Sequence, residues 1–532
     1  MTHFPFAYFG SFCTLKAENA FMKSTDNFPI IIGVGQIVDH WSGDDINAAP
    51  NPVSIVQKAI ARALEDTSKT NIAKHVDCAA FVRSFPDSLP MPYTPFGKVK
   101  NFSRAVIAQS DIDPQQVIYS SAGGEQPQVL VSRLSEQLHA GNIELAVIAG
   151  GETTGALKLA LKKGHQLDWA DSADGDVEDD GPKTDFISGY EIRNGLGLPP
   201  KTYAAMEQAL RARLGMTKSE YRQYTGQILS NMSKVAQTNP YAQFPKFQTP
   251  EYLTTQSKSN FPIFEPYLKW HMAQDAVNQA AALVLTTARK AKDLGIDESK
   301  WVYLHGYAQA EDALVSKRPD LSRSDAIESV IKRALEGAKL APQDITHHDI
   351  YSCFSVVTHL GAECLGLDPL QDQLTVTGGL PFFGGAGNNY STHAIASLVD
   401  NLRADPKAYG LVLANGGFMS KEAAGVYSAK APKKWAPISS GDLQKAIDTR
   451  PDIAMLDEDC TAAIEGYCVK HGREGLAGGY IIARNEKGRV LANVKADDMA
   501  TLQSLVDHDE VVGKSVNIVH RDGQNFLETP VS

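Results

Sequence analysis

Gly123-Gly124-Glu125-Gln126-Pro127 leads into a helical stretch, Val129 to His139, and then into the apolar run Leu145-Ala146-Val147-Ile148-Ala149-Gly150-Gly151. Much later, Gly384-Gly385-Ala386-Gly387-Asn388-Asn389 leads into a helix through Arg403 and then into Leu411-Val412-Leu413-Ala414-Asn415-Gly416-Gly417. The chain therefore reads as two copies of one unit, each opening a helix on glycines. Helix N-termini carry free N–H groups that favour anions and polarised oxygens. Two such ends meeting at a pseudo-twofold would suit a thioester or a phosphate.

The repeat extends outward from these glycines. Ile30 to Gly35 reads as a buried strand, Val53 to Leu64 as a helix with Val53, Val56, Ile60 and Leu64 on one face, and Val76 to Val82 as the next strand. Trp301 to Leu304, Ala326 to Leu335 and Ile345 to Ile350 repeat that order. Arg62-Ala63-Leu64-Glu65 even recurs as Arg333-Ala334-Leu335-Glu336. Strands alternating with amphipathic helices predict a layered α/β fold built by duplication.

The bulk properties narrow the function class. The 532 residues require more than one domain, and 43% hydrophobic with 21% charged residues is ordinary for a globular protein with a large core. A net charge of -11 without a basic stripe argues against nucleic acid as a partner. No apolar stretch is long enough for a membrane span. Six cysteines, none in a CxxC pair, make neither a disulfide framework nor a zinc site, so no metal is expected and a reducing cytoplasm is. Residues 1–27 read as a disordered extension, with Met22 as an alternative start.

Between the halves lies an insert, residues 153–267. It holds an acidic run (Asp168 to Asp180) without calcium-loop spacing, and a basic stretch (Arg211, Arg213, Lys218, Arg222) that reads as a solvated face or a phosphate contact. Ala431 to Pro437 reads as a linker. Beyond it, Thr461 to Val469, Ala477 to Ala483, Val490 to Lys495 and Val516 to His520 predict a small β-barrel-like domain over residues 438–532.

Five segments, spread in order over Phe28 to Ser428, resemble the thiolase superfamily. They are Ile148-Ala149-Gly150-Gly151-Glu152; Asn278-Gln279-Ala280-Ala281-Ala282; Tyr351-Ser352-Cys353-Phe354; Gly378-Gly379-Leu380-Pro381-Phe382-Phe383-Gly384-Gly385; and Tyr409 through Gly417. The chain is most similar to the thiolase-like proteins of type 1, which share the SCF, PFFGG-x-GNNY and ANGG segments and an added C-terminal domain. The resemblance implies a five-layered α/β/α/β/α fold. Its N-terminal half would comprise residues 28–152 and 268–300, its C-terminal half residues 301–430, with residues 153–267 as the loop domain.

The resemblance also places the family's catalytic roles, and here the chain departs from it. The acylated cysteine aligns with Gly124, the activating histidine with Gly385, the second cysteine with Asn415, and the residue holding the oxyanion water with Tyr351. No cysteine lies between Cys78 and Cys353, so ordinary thiolase activity is not expected. Cys353, Asn415 and Tyr351 are the candidate catalytic residues; Gly123, Gly124, Gly384, Gly385 and Asn388 are the candidate substrate contacts. A buried cysteine is more often a small hydrophobe than a nucleophile, and the histidines (His305, His347, His348, His359, His393) read as structural. Two functions are implied: an acyl-CoA-dependent acyltransferase of altered mechanism, acting on groups other than aminoacyl, or a non-catalytic acyl-CoA or lipid-binding protein or scaffold. Thioester hydrolysis through Cys353 ranks below both. CoA or acyl-CoA is expected as substrate or ligand, with no covalently bound cofactor. A homodimer, or a protein partner of the C-terminal domain, is the implied assembly.

Overall fold

The computed structural model describes residues 27–88, 94–183 and 185–531; the expectation for residues 1–27 therefore falls almost wholly outside it. In chain order the first half supplies β1 (Pro29–Val38), α1 (Pro52–Asp66), β2 (Cys78–Phe81), β3 (Gln116–Tyr119), α2 (Gln126–Ala140), β4 (Leu145–Glu152) and, after the insert, β5 (Gln279–Thr287). The second supplies β6 (Val302–Glu311), α3 (Asp325–Ala338), β7 (His347–Ile350), α4 (Ser355–Leu365), α5 (Tyr390–Ala404), β8 (Gly410–Gly416) and β9 (Lys421–Ser428).

The strands share one sheet in the order β7-β8-β9-β6-β1-β5-β4-β2-β3, and the duplication is explicit in it. In the first half β2 runs parallel to β4, while β4–β5 and β5–β1 are antiparallel. In the second, β7 runs parallel to β8, while β8–β9 and β9–β6 are antiparallel. The halves join where Ile30 and Ile31 of β1 pair with Tyr303 and Val302 of β6.

Matching irregularities confirm the repeat. The ladder slips between Ile31 and Gly33 in β1 and between Leu304 and Gly306 in β6. A Cβ on Gly33 would lie 2.2 Å from the Ala63 carbonyl, and one on Gly306 only 2.0 Å from that of Ala334. Each half thus seats its helix directly on a strand glycine, and the repeated Arg-Ala-Leu-Glu text marks the contact. The helices bury the faces that the spacing predicts: Val53, Val56, Ile60 and Leu64 in α1; Ile327, Val330, Ile331 and Leu335 in α3. Full burial of such side chains contributes roughly 1.5–3 kcal/mol each.

The C-terminal region adds β10 (Cys460–Gly472), β11 (Gly475–Arg484), β12 (Arg489–Val494), β13 (Ser515–Arg521) and β14 (Gln524–Leu527). Pairings β10–β11, β11–β12, β12–β14, β14–β13 and β13–β10 close a five-stranded ring, so the C-terminal region is β-rich. The ring is not a free appendage. Phe264 of the insert pairs with Lys470, and the Glu265 N–H donates to the Val469 carbonyl. The fully buried Arg489 pairs with Glu465 and donates to the carbonyls of Ser316 and Arg318. The segment read as a linker is docked as well: Trp435 is buried and its indole N–H donates to the Leu304 carbonyl.

The basic stretch of the insert is not a phosphate contact. Arg213 holds Glu363 with both guanidinium nitrogens, at 2.7 and 2.8 Å, and buried Arg211 donates to Gln208 and the Met216 carbonyl. Lys218 caps the helix Met499–Asp507 through the carbonyls of Leu505 and Val506.

The acidic run is only partly a loop. Glu178–Asp179 forms a short strand on β3, held by ion pairs of Arg83 with Asp179 and of Arg133 with Glu178 and Asp180. It is the outermost strand of the sheet, short and charged, which makes it a poor template for pairing with another copy. The chain is expected to sediment as a monomer at micromolar concentration, and the double variant Glu178→Lys, Asp180→Lys to show concentration-dependent association. A dimer of the unmodified chain would place its contact away from this edge.

Candidate functional site

The two glycine-rich helix starts meet, as their spacing leads one to expect, and each spends its polar groups on the other. The Gly123 N–H donates to the Asn388 side chain at 3.1 Å, and the Ser391 hydroxyl donates to the Gly124 carbonyl at 2.8 Å. Asn388 completes its bonding by donating to the Arg83 carbonyl and to Ser88. Asn389 donates to the Gly150 carbonyl. Asn388 is therefore a clamp between the halves, and the Gly123 N–H is already committed. Gly384 and Gly385 lie against the return from the insert, with Gln279 and Val277 beside the first and Ala273 and Gln274 beside the second.

Around Gly124 the structure gathers three of the sequence candidates. A Cβ at residue 124 would lie 2.4 Å from the Tyr351 hydroxyl and 2.5 Å from the Asn415 carbonyl oxygen. Asn415 donates to the Tyr203 hydroxyl at 3.0 Å and reaches the Cys353 sulfur at 3.5 Å. Tyr203 stacks on Phe354 at 4.3 Å and accepts from the Met419 N–H. Tyr351 packs edge-on to Tyr390, whose hydroxyl donates to the buried Asp349. Asp349 also accepts from Thr375, Thr377 and the N–H groups of Val376 and Thr377. That network fixes the ring that fills the space a side chain on residue 124 would take.

The chemistry of Cys353 follows from this setting. It is buried, and desolvation pushes its thiol well above the ordinary cysteine range, although Tyr203 lies close enough to oppose the shift. A thiol without an electropositive neighbour stays protonated. The histidines are engaged elsewhere: His359 with the Tyr224 hydroxyl, His393 with Gln36, His305 with the Lys430 carbonyl. Burial pushes His393 down to about 3 and His305 to about 4. Ser120 donates to the Ser121 carbonyl and accepts from the Arg83 N–H.

Two carboxyls beside this cluster went unremarked in the sequence. Glu125, which precedes α2, is 3% exposed; Glu422, opposite Asn415 in the β8–β9 register, is 1% exposed. One Glu125 oxygen accepts from the Gln126 amide, and the other has no partner among the described residues. Neither Glu422 oxygen has one. Leaving a buried polar group unmade costs about 1–3 kcal/mol. The Glu125 carboxyl lies so close to Gly416 that a Cβ there would stand 1.8 Å from it. Both residues lie beside a cavity of about 660 Å3, with Lys421, Glu311 and Ser121, but their unpartnered oxygens are closed off from it. Burial pushes Glu125 up to about 7, and burial and then Asp312 push Glu422 well above the carboxylate range. Among the described residues no group of three His, Cys, Asp or Glu side chains is arranged to hold a metal ion.

Comparison with known proteins places the fold among thiolase-like proteins. Residues 442–524 match the family described as the thiolase-like protein type 1 additional C-terminal domain. The crystal structure of a monomeric SCP2-thiolase-like protein type 1 from Mycobacterium smegmatis is 31% identical, covers 95% of this chain and 99% of its own, and superposes with a TM-score of 0.80. An acetyl-CoA acetyltransferase of Methanothermobacter thermautotrophicus is 28% identical over 274 residues, 49% of this chain and 68% of that protein. The dimeric peroxisomal thiolase of Saccharomyces cerevisiae shares the fold at 10% identity, with 77% of this chain and all of its own covered and a TM-score of 0.54.

Two outcomes follow from the crowding and the orphan carboxyls. Gly124→Cys is expected to lower stability and to leave no acylated protein detectable by mass spectrometry after incubation with acetyl-CoA, because the Asn415 carbonyl blocks its Cβ. Above the ordinary value of 4.5, folded Glu422 keeps a proton that the unfolded chain releases, so this group lowers wild-type stability as the pH rises past that value. The denaturation midpoint of Glu422→Gln relative to wild type should therefore climb between pH 5 and pH 8; a constant difference would contradict the burial argument.

Proposed function

This chain belongs to the SCP2-thiolase-like proteins of type 1, and on that premise we propose that it acts on acyl-CoA thioesters as an acyltransferase that forms no acyl-enzyme on cysteine. The observation that supports this reading is the packing at Gly124, the position that aligns by resemblance with the family's nucleophile, where the Tyr351 hydroxyl and the Asn415 carbonyl crowd any Cβ. A covalent route needs an activated side chain there, and its removal leaves only direct transfer between bound partners. Tyr351, Asn415 and Tyr203 supply hydroxyl and amide donors next to that position, the kind of group that stabilises a polarised thioester oxygen. CoA enters as substrate rather than as a resident cofactor. Five free thiols among the described cysteines support a reducing, cytoplasmic setting.

A second reading, acyl-CoA binding without turnover, is favoured by the same crowding together with the buried, protonated Cys353. Calorimetry with acetyl-CoA and octanoyl-CoA, followed by intact-protein mass spectrometry, separates the two. Binding, with free CoA released only when a thiol acceptor such as N-acetylcysteamine is added, the acyl group recovered on that thiol and no protein adduct formed, is the expected result, and Cys353→Ser should retain it. Binding without CoA release selects the second reading. Absence of binding to both thioesters overturns both, and an acyl adduct on Cys353 overturns the non-covalent route.

A further inference from the structure

We propose that the cavity between the end of β4 and the helix Thr154–Lys163 binds a small neutral molecule that presents a carbonyl oxygen on a short apolar body, held by the Glu152 carboxyl and the Thr153 hydroxyl. The cavity measures about 70 Å3, and Pro52, Phe102, Leu157 and Trp169 give it apolar walls. A water needs about 10–15 Å3 of such space, so a body of several heavy atoms fits. Glu152 and Thr153 line the same space, and both are more than nine-tenths buried. One Glu152 oxygen accepts from the Phe85 N–H at 2.6 Å. The other oxygen and the Thr153 hydroxyl have no hydrogen-bond partner among the described residues, and neither is sealed off as the Glu422 oxygens are.

The chemistry of this pair selects the ligand. Burial pushes Glu152 up to about 8 against the opposing Phe85 N–H, and the charge of Asp87 adds to the rise. The oxygen on Phe85 is an acceptor, so below that value the proton sits on the open oxygen and makes it a donor. Thr153 offers a second O–H. A carbonyl oxygen has two lone pairs and takes both. A carboxylate would bury an unpaired charge beside Asp87, and an ammonium would meet two donors with no acceptor of its own. Asp87 is itself occupied, by the Tyr119 hydroxyl at 2.8 Å and by Lys98 at 3.5 Å. Those two partners and Asp87 are the titratable groups on this side of Glu152; Gln279 across the ladder and Gly387 beside the carboxyl bring no charge. The site uses different residues from the thioester reading around Gly124 and is tested without CoA.

The test is a saturation-transfer NMR titration of the full chain with cyclopentanone against its hydrocarbon match, methylenecyclopentane, at pH 6.5 and pH 9.5, with a melting curve at each pH. At pH 6.5 the ketone is expected to bind about tenfold more tightly than the alkene, as two neutral hydrogen bonds allow. At pH 9.5 Glu152 has lost its proton, and the ketone should lose that advantage while the alkene is unchanged. Glu152→Gln, which keeps an acceptor for Phe85 and turns an amide N–H to the cavity, should bind the ketone equally at both pH values. Leu157→Phe, which fills the cavity, should bind neither probe. If a variant does not fold, the ketone–alkene contrast and its pH dependence on the unmodified chain decide. Equal affinity for the two probes at pH 6.5, no ketone binding at millimolar concentration, a contrast that survives unchanged at pH 9.5, or full binding in folded Leu157→Phe overturns the proposal.

Discussion

The hydrogen bond from the Gly123 N–H to Asn388, with its companion from Ser391 to the Gly124 carbonyl, sets the distance between the two halves. Everything nearby inherits that spacing. Tyr351 and Asn415 are pressed against residue 124, Glu125 is turned against Gly416, and the carboxyl of Glu422 stands opposite Asn415. The lack of a side chain at residue 124 is therefore part of a packing arrangement. Restoring one side chain would not restore the space it needs.

The same closeness explains the unusual electrostatics. Protein interiors hold carboxyls when those are satisfied, as Asp349 is by two threonines, a tyrosine and two backbone N–H groups. Glu207, another buried carboxyl, is met by Tyr221, Tyr267 and the Val356 N–H. Glu125 and Glu422 break that rule beside one cavity. A fold that satisfies Asp349 and Glu207 and leaves oxygens of these two unpartnered is tolerating a cost at one place, as functional sites do.

Much of the architecture was legible because it depends on periodicity. The paired strand–helix order, the glycine helix starts and the Arg-Ala-Leu-Glu repeat each mark a local rule that the structure obeys twice. The histidines were also readable: each of His305, His359 and His393 has a structural partner. Glu422 was not readable, because Lys421-Glu422 looks like a polar strand start, and only the facing Asn415 shows that it points into the core. Tyr203 lies in the insert, more than 140 residues before the Cys353 and Asn415 that it meets, and no local pattern announces such a contact. The strands Pro262–Phe264 and Tyr267–Leu268 are too short to carry a period, and the Pro-rich segment around Trp435 signals a break in regular structure without saying whether it is free.

The insert and the C-terminal ring complete each other. Phe264 and Glu265 extend the sheet of β10, Tyr480 donates to the Lys201 carbonyl, and the Asn525 backbone N–H donates to the Asn194 side chain. The insert emerges from the ribosome roughly two hundred residues before the strands that cover it. During that interval its ring-facing surface, and the polar groups later tied to the barrel, stand uncovered. Folding of this chain cannot finish in order of synthesis: the middle of the polypeptide has to wait for its end, which makes this surface the stretch where a nascent-chain chaperone has the most to do.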